Sequence, residues 1–176
     1  MPQDAGTLER LIASFPGLSA IGGADWQPVE DIKSGRTSDE LAESERELGI
    51  SLPDSYKRFL SISGGFSLAG GAVQFGSQHP FFHEFSAFEN LTIQQRQRIA
   101  ASGDPWPPPS EGMLCFAEMF MLADGDQVLF DVKQGLRDGE YSVYYYAHED
   151  SPASVVKLAS GFEEFMNGFL SYPQWG

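Results

Sequence analysis

The segment from Thr37 to Gly65 constrains the fold more than any other part of the chain. It reads TSDELAESERELGISLPDSYKRFLSISGG and opens with a Thr that is followed three residues later by Glu40. This spacing is that of a capping box, in which the Thr hydroxyl and the Glu carboxylate each accept a backbone N–H at the start of a helix. The pattern predicts a helix from this point to Leu48, with Gly49 as its stop.

A second helix is predicted after Leu52, because Pro53 lacks the N–H that the first helical position leaves without a partner. We expect Gly64 to end this helix in the left-handed conformation. A phosphate-binding loop places its glycines before a helix, where the backbone N–H groups point at the anion. These glycines follow a helix instead, and the chain has no Gly-Lys-Ser/Thr or G-x-G-x-x-G motif. The apolar face of the second helix comprises Tyr56, Phe59 and Leu60.

The second half of the chain has the pattern of a β-sheet. Apolar runs at 113–121, 126–133 and 141–147 are separated by short turn segments, which favours antiparallel hairpins over parallel crossovers. One more strand is expected around 72–75. A closing helix is predicted from Ser160, with Glu163 completing a second capping box. Its core-facing stripe follows helical spacing and comprises Phe162, Phe165, Met166, Phe169 and Leu170.

These elements predict the α+β fold class, with helices packed on a largely antiparallel sheet in one domain, residues 1–176. The chain of 176 residues is long enough to bury a core of its own. A single cysteine, Cys115, excludes an intramolecular disulfide, and we expect its thiol to be buried. The first residues have no basic leader followed by an apolar core, and no apolar run approaches the ~20 residues that cross a bilayer. We therefore expect a cytoplasmic protein.

The charge of the chain limits the kinds of partner that it can bind. It has 25 acidic and 11 basic side chains and a formal net charge of −14. Nucleic acid and anionic membranes would be repelled by such a surface. A basic protein is the partner that this charge would attract.

No motif with catalytic or metal-binding spacing emerges. Ser67 nearly matches a nucleophile elbow, which requires a strand before the Ser and a helix after it, whereas we expect a helix end before this serine and glycines follow it. His79 and His83 have Pro80 between them and lack the Glu of a zinc-protease helix. The sequence from Asp124 to Asp126 begins like a calcium loop, but the later ligand positions are apolar or glycine. We predict no catalytic residue, no metal and no cofactor.

The order of these signals resembles the SUKH superfamily of α+β domains. The segments that carry the resemblance lie in the order typical of that superfamily and span about residues 37–170, with 1–36 as an N-terminal helical extension. They are DELAESERELGI (39–50), LPDSYKRFLSISGG (52–65), ADGDQVLFDV (123–132), EYSVYYYAHE (140–149) and SGFEEFMNGFL (160–170).

The resemblance implies a protein that binds another protein rather than an enzyme. Bacterial members of the superfamily typically bind and neutralise a toxin domain, often a nuclease, and such a basic partner would suit the acidic charge. Two alternatives stay open: an intracellular regulatory scaffold of the cell-wall-assembly type, and an enzyme or metal-binding protein whose site is built from scattered residues. The oligomeric state stays open as well.

The contact surface for the partner is predicted on the acidic turns of the sheet. There, negative charge would steer a basic toxin, and a tryptophan held between prolines would supply an aromatic anchor. The candidate residues are Trp106, Asp124, Asp126, Asp138, Glu140, Glu149 and Asp150.

Overall fold

The computed structural model describes residues 2–22, 29–68, 73–76, 113–119, 126–132, 135–147 and 154–168. These residues form four α-helices, one 3-10 helix and seven β-strands. The helices are α1 (Pro2–Ser14), α2 (Ser38–Leu48), α3 (Asp54–Ile62) and α4 (Phe162–Gly168), and the 3-10 helix spans Pro16–Gly22. The strands are β1 (Val29–Ser34), β2 (Ser63–Leu68), β3 (Val73–Gly76), β4 (Met113–Met119), β5 (Gln127–Asp131), β6 (Ser142–Ala147) and β7 (Ser154–Ala159).

The seven strands form one sheet in the simplest possible order, β1 to β7, so that each strand pairs with its neighbours in the sequence. Every one of these pairings is antiparallel. The predicted α+β fold with its largely antiparallel sheet is therefore confirmed.

The start and the end of α2 are those predicted from the sequence. The Thr37 hydroxyl accepts the N–H of Glu40 at 3.2 Å, and the Glu40 carboxylate accepts the N–H of Thr37 at 2.7 Å. Gly49 follows the helix in the left-handed conformation, with φ of 70°. Because the partners in both signals lie within four residues of each other, the local sequence suffices to specify them.

The predicted end of α3 is wrong. The helix ends at Ile62, and Ser63 leads directly into β2 with extended backbone angles instead of a left-handed glycine turn. Gly64 and Gly65 lie inside β2, where Gly65 pairs with Gly76 of β3. The backbone N–H and C=O groups of this segment pair with β1 on one side and β3 on the other. The chain therefore passes from helix to strand without a glycine turn. Pro53 precedes the helix as its N-cap residue, one position earlier than predicted.

The core is a cluster of aromatic rings between the helices and one face of the sheet. The rings of Phe116 and Phe130, on β4 and β5, stack with centroids 4.1 Å apart. Tyr56 of α3 and Phe162 of α4 meet above them at 5.0 Å. Cys115 is fully buried in β4, as predicted.

The closing helix presents the predicted stripe to this core. Phe162, Phe165 and Met166 are completely buried, whereas Phe169 and Leu170 lie outside the described residues. The cap differs from the predicted one. The N–H of Ser160 donates to the Glu164 carboxylate at 2.8 Å, and the Glu163 carboxylate accepts a hydrogen bond from Arg58 at 2.9 Å.

Candidate functional site

The hairpin between β5 and β6 ends in a tight turn that carries two of the predicted contact residues. Arg137 and Glu140 pair across the turn through two backbone hydrogen bonds of 2.9 and 3.0 Å. Asp138 and Gly139 form its tip, with φ of 53° and 77°. Asp-Gly with two positive φ angles is the composition that a two-residue hairpin turn with the right twist requires.

This turn packs on the N-terminal end of α3. The Gly139 carbonyl accepts the N–H of Asp54 at 2.9 Å, and the Glu140 carboxylate accepts the N–H of Ser55 at 3.3 Å. The hydroxyl of Tyr141 donates to the Ser51 carbonyl at 2.7 Å, just before the helix. Pro53 provides no side-chain cap, so the distant hairpin satisfies N–H groups that a local Ser or Asp usually would.

The C-terminal part of α2 brings another carboxylate to the same place. Lys57 of α3 lies 3.3 Å from the Glu45 carboxylate and 3.8 Å from that of Asp54. Glu45 also acts on the phenol of Tyr141, whose pKa is raised mainly by burial and further by this negative charge. The turn, the start of α3 and the end of α2 thus lie against one another, and we name the four acids on these segments, Glu45, Asp54, Asp138 and Glu140, the acidic junction.

The exposed acids of the junction are able to act on a partner in solution. The Asp54 side chain is 76% exposed, and Asp138 is exposed at the tip of the turn. Among the described residues, Lys57 pairs with two of these carboxylates, those of Glu45 and Asp54. Within the described residues, no three His, Cys, Asp or Glu side chains are placed to hold a metal ion together. The arrangement suits long-range attraction of a basic protein.

Asp138 and Glu140 lie on the same turn but have different environments. One Glu140 oxygen caps α3, and the other is buried without a hydrogen-bond partner among the described residues. The Glu140 side chain also lies over Gly161, where a Cβ would come within 3.0 Å of it. Glu140 thus holds the turn in place, a role that the sequence analysis missed, and its contact with a partner stays a prediction.

Asp126 is not where the predicted contact surface requires it. It is only 4% exposed, and the Tyr145 hydroxyl donates a hydrogen bond to its carboxylate. Asp126 lies two residues before Val128, so the alternation of the chain directs it toward the helix-covered face. We therefore correct this part of the prediction: Asp126 is a buried hydrogen-bonding group and not an exposed contact.

The other four predicted contact residues, Trp106, Asp124, Glu149 and Asp150, lie outside the described residues. Glu45 and Asp54 were missed. Both follow a recognisable pattern, because Glu45 lies on a strongly acidic amphipathic helix and Asp54 occupies a first helical turn, where acids are favourable. That pattern explains why an acid occurs at each position but does not show that the two acids meet.

Ser67 lies within β2, where it is buried and pairs with Glu30 on one side and Gln74 on the other. A strand thus precedes this serine, contrary to the expected helix end, but its position inside the sheet differs from the exposed tip of a nucleophile elbow. His79 and His83 lie outside the described residues.

The profile of the SMI1 / KNR4 family (SUKH-1) matches residues 35–168, from just before α2 to the end of α4. The chain belongs to the SUKH-1 family. The match confirms the resemblance inferred from the helix–Leu-Pro–helix unit and the later strands. No curated protein matches the sequence of this SUKH-1 protein. Among the described residues, no helix has the length and apolar character needed to cross a membrane.

Proposed function

We propose that this SUKH-1 protein is a non-enzymatic, cytoplasmic immunity protein that binds and neutralises a basic toxin domain, such as a nuclease. The observation that carries the proposal is a family match over residues 35–168 in a chain with a formal net charge of −14. Nuclease domains that bind the phosphate backbone carry basic surfaces, so an acidic protein can attract the same surface. Occupying that surface would inhibit the toxin without any chemical step.

The acidic junction is the proposed entry point for the toxin. Asp54 and Asp138 project into solvent, while Glu140 and the α3 hydrogen bonds fix the turn that carries Asp138. A preorganised charged surface raises the association rate, because less ordering is needed when the partners meet. Trp106, with prolines beside it, is the proposed aromatic anchor that slows dissociation.

The first experiment identifies the partner. The product of the neighbouring gene is used as bait, the SUKH-1 protein is added in excess, and the captured complex is identified by mass spectrometry. Stoichiometric capture by a toxin domain would support the immunity role. A separate pulldown from the cell lysate with the SUKH-1 protein as bait would support a regulatory scaffold instead if it captured a single signalling or wall-synthesis protein.

The second experiment tests the junction with the captured toxin. The double variant Asp54→Lys and Asp138→Lys is compared with wild type by kinetic binding at low and high salt. We expect a slower association rate and a weaker salt dependence, because the steering charge is reversed. The double variant Glu9→Lys and Asp39→Lys reverses two exposed acids outside the junction and controls for the same change in net charge. Equal rates for the double variant and wild type at low salt would place the contact surface elsewhere.

The proposed absence of enzymatic activity has a separate test. The purified protein is assayed for zinc and calcium, and for hydrolase and nuclease turnover. Stoichiometric metal, or turnover that Ser67→Ala abolishes, would favour the alternative of an enzyme or metal-binding protein.

A further inference from the structure

The family match begins at residue 35, yet residues 2–22 supply part of the core. Leu11, Phe15 and Leu18 are completely buried. Leu11 and Phe15 are four residues apart and therefore lie on one face of the chain as it leaves α1. A segment that was only appended to a finished domain would leave such side chains exposed.

Phe15 enters the aromatic cluster between α3 and α4. Its ring meets Phe59 edge to face at 6.2 Å and Phe162 at 5.7 Å. Both partners are completely buried, so the segment covers rings that belong to the matched part of the chain. Removing it would expose a contiguous apolar surface on α3 and α4.

Polar groups close the rim around Phe15. Arg58 of α3 donates to the Ser14 hydroxyl at 2.7 Å and to the Glu163 carboxylate at 2.9 Å. The guanidinium carbon of Arg58 lies 4.8 Å from the centre of the Phe15 ring, in the position of a cation–π contact. One arginine therefore links α1, α3 and α4.

The backbone of the 3-10 helix packs directly against the backbone of α4. The N–H of Gly17 donates to the Asn167 side-chain oxygen at 3.0 Å. A Cβ at Gly17 would lie 2.0 Å from the Asn167 carbonyl oxygen, so only glycine fits there without a shift. Such an approach is typical of a fixed interface.

We infer that residues 2–22 form a permanent seal over the outer face of α3 and α4. The seal opens only when the whole domain unfolds, and it withholds this face from any partner. The functional unit is accordingly longer than the family match, and a fragment trimmed to residue 35 would present an apolar face that the intact protein does not have. The inference is independent of the proposed toxin.

Hydrogen exchange of the full chain tests the seal. The N–H groups of Phe15 and Leu18 are bonded to the carbonyls of Leu11 and Phe15 at 2.8 and 2.9 Å, so their exchange reports opening of the segment. We expect these amides to exchange as slowly as those of α3, within about tenfold, because both open in the same cooperative event. Exchange on the order of 100-fold faster than α3 would show separate opening and overturn the inference.

A pair of variants on the seal provides the second measurement. Phe15→Ala should lower the melting temperature and speed exchange in α1 and α3 alike, because it weakens the shared core. Glu9→Ala, at an exposed position of the same helix, should change neither. If Phe15→Ala speeds exchange only in α1, or leaves the melting temperature unchanged, the segment is not part of the cooperative domain.

Discussion

Replacement of Phe162 by Ala should be among the most damaging single changes to the stability of this domain. The Phe162 ring lies within 6.1 Å of five other aromatic rings, which come from the seal, α3, β4 and β5. Truncation of a fully buried Phe costs about 3–5 kcal/mol through lost burial and the cavity that remains. Edge-to-face aromatic pairs add about 0.5–1.5 kcal/mol beyond burial. Since Phe162 makes several, we expect a loss near the upper end, about 5 kcal/mol.

Urea denaturation followed by circular dichroism measures this loss as a shift of the midpoint at constant slope. Phe165→Ala is a second truncation on the same helix, since Phe165 is equally buried and its ring meets Phe116 at 5.7 Å. It should cost about 3–5 kcal/mol. Leu136→Ala, at an exposed position, should cost about 0.5 kcal/mol or less. A loss below about 1 kcal/mol for Phe162→Ala would refute the packing described for α4.

Two further predictions concern the acidic junction and the core tyrosines. Gly139→Ala should lower the free energy of unfolding in urea melts by about 1–2 kcal/mol or more, because a φ of 77° disfavours any Cβ and this Cβ would lie 2.5 Å from the Asp54 carboxylate. Gly135→Ala is the control, since Gly135 has a similar φ of 73° but open space around it. Equal losses for the two variants would show that the turn does not press on α3. Burial raises the pKa of Tyr56 and of Tyr141, so the folded protein keeps protons that the unfolded chain releases near pH 10. The stability that these two tyrosines contribute should therefore be fully present below about pH 10 and be lost as the pH rises above it. Tyr141→Phe should reduce this alkaline loss, and phenolate absorbance at 295 nm that shows all tyrosines ionising together near pH 10 in the folded protein would contradict the prediction.

The features that the sequence predicted correctly depend on neighbours along the chain. The capping box at Thr37, the left-handed Gly49 and the stripe from Phe162 to Met166 are each specified within a few residues. The hairpins between β4, β5 and β6 were predicted for the same reason, since short polar turns separate strongly apolar runs.

Three strands were not predicted, β1, β2 and β7, and the first two of them lack such a local signal. β1 reads VEDIKS, in which charged residues interrupt any apolar alternation, and it lies at the end of the strand order. β2 begins with Ser63-Gly64-Gly65, a sequence that usually ends a helix, and only the pairing with β1 and β3 makes it a strand. In both cases tertiary contacts outweigh local propensity.

The candidate site was only partly predictable, because its acids meet through tertiary contacts. Asp54 and Asp138 are far apart in the sequence, and their proximity depends on the hydrogen bond between the Asp54 N–H and Gly139. Asp126 follows an Asp-Gly pair and has the sequence context of an exposed turn. Its burial depends on Tyr145, a residue of the next strand whose reach no local pattern reveals.

The central claim is that this protein neutralises a toxin by binding it, and a titration of toxin activity tests it most directly. The toxin domain captured in the pulldown is held at a fixed concentration well above the dissociation constant, and increasing amounts of the SUKH-1 protein are added. We expect toxin activity to fall linearly to zero at a fixed molar ratio and, at each lower ratio, to stay constant with time. Full toxin activity at a large excess of the protein, or progressive inactivation by substoichiometric amounts, would contradict it.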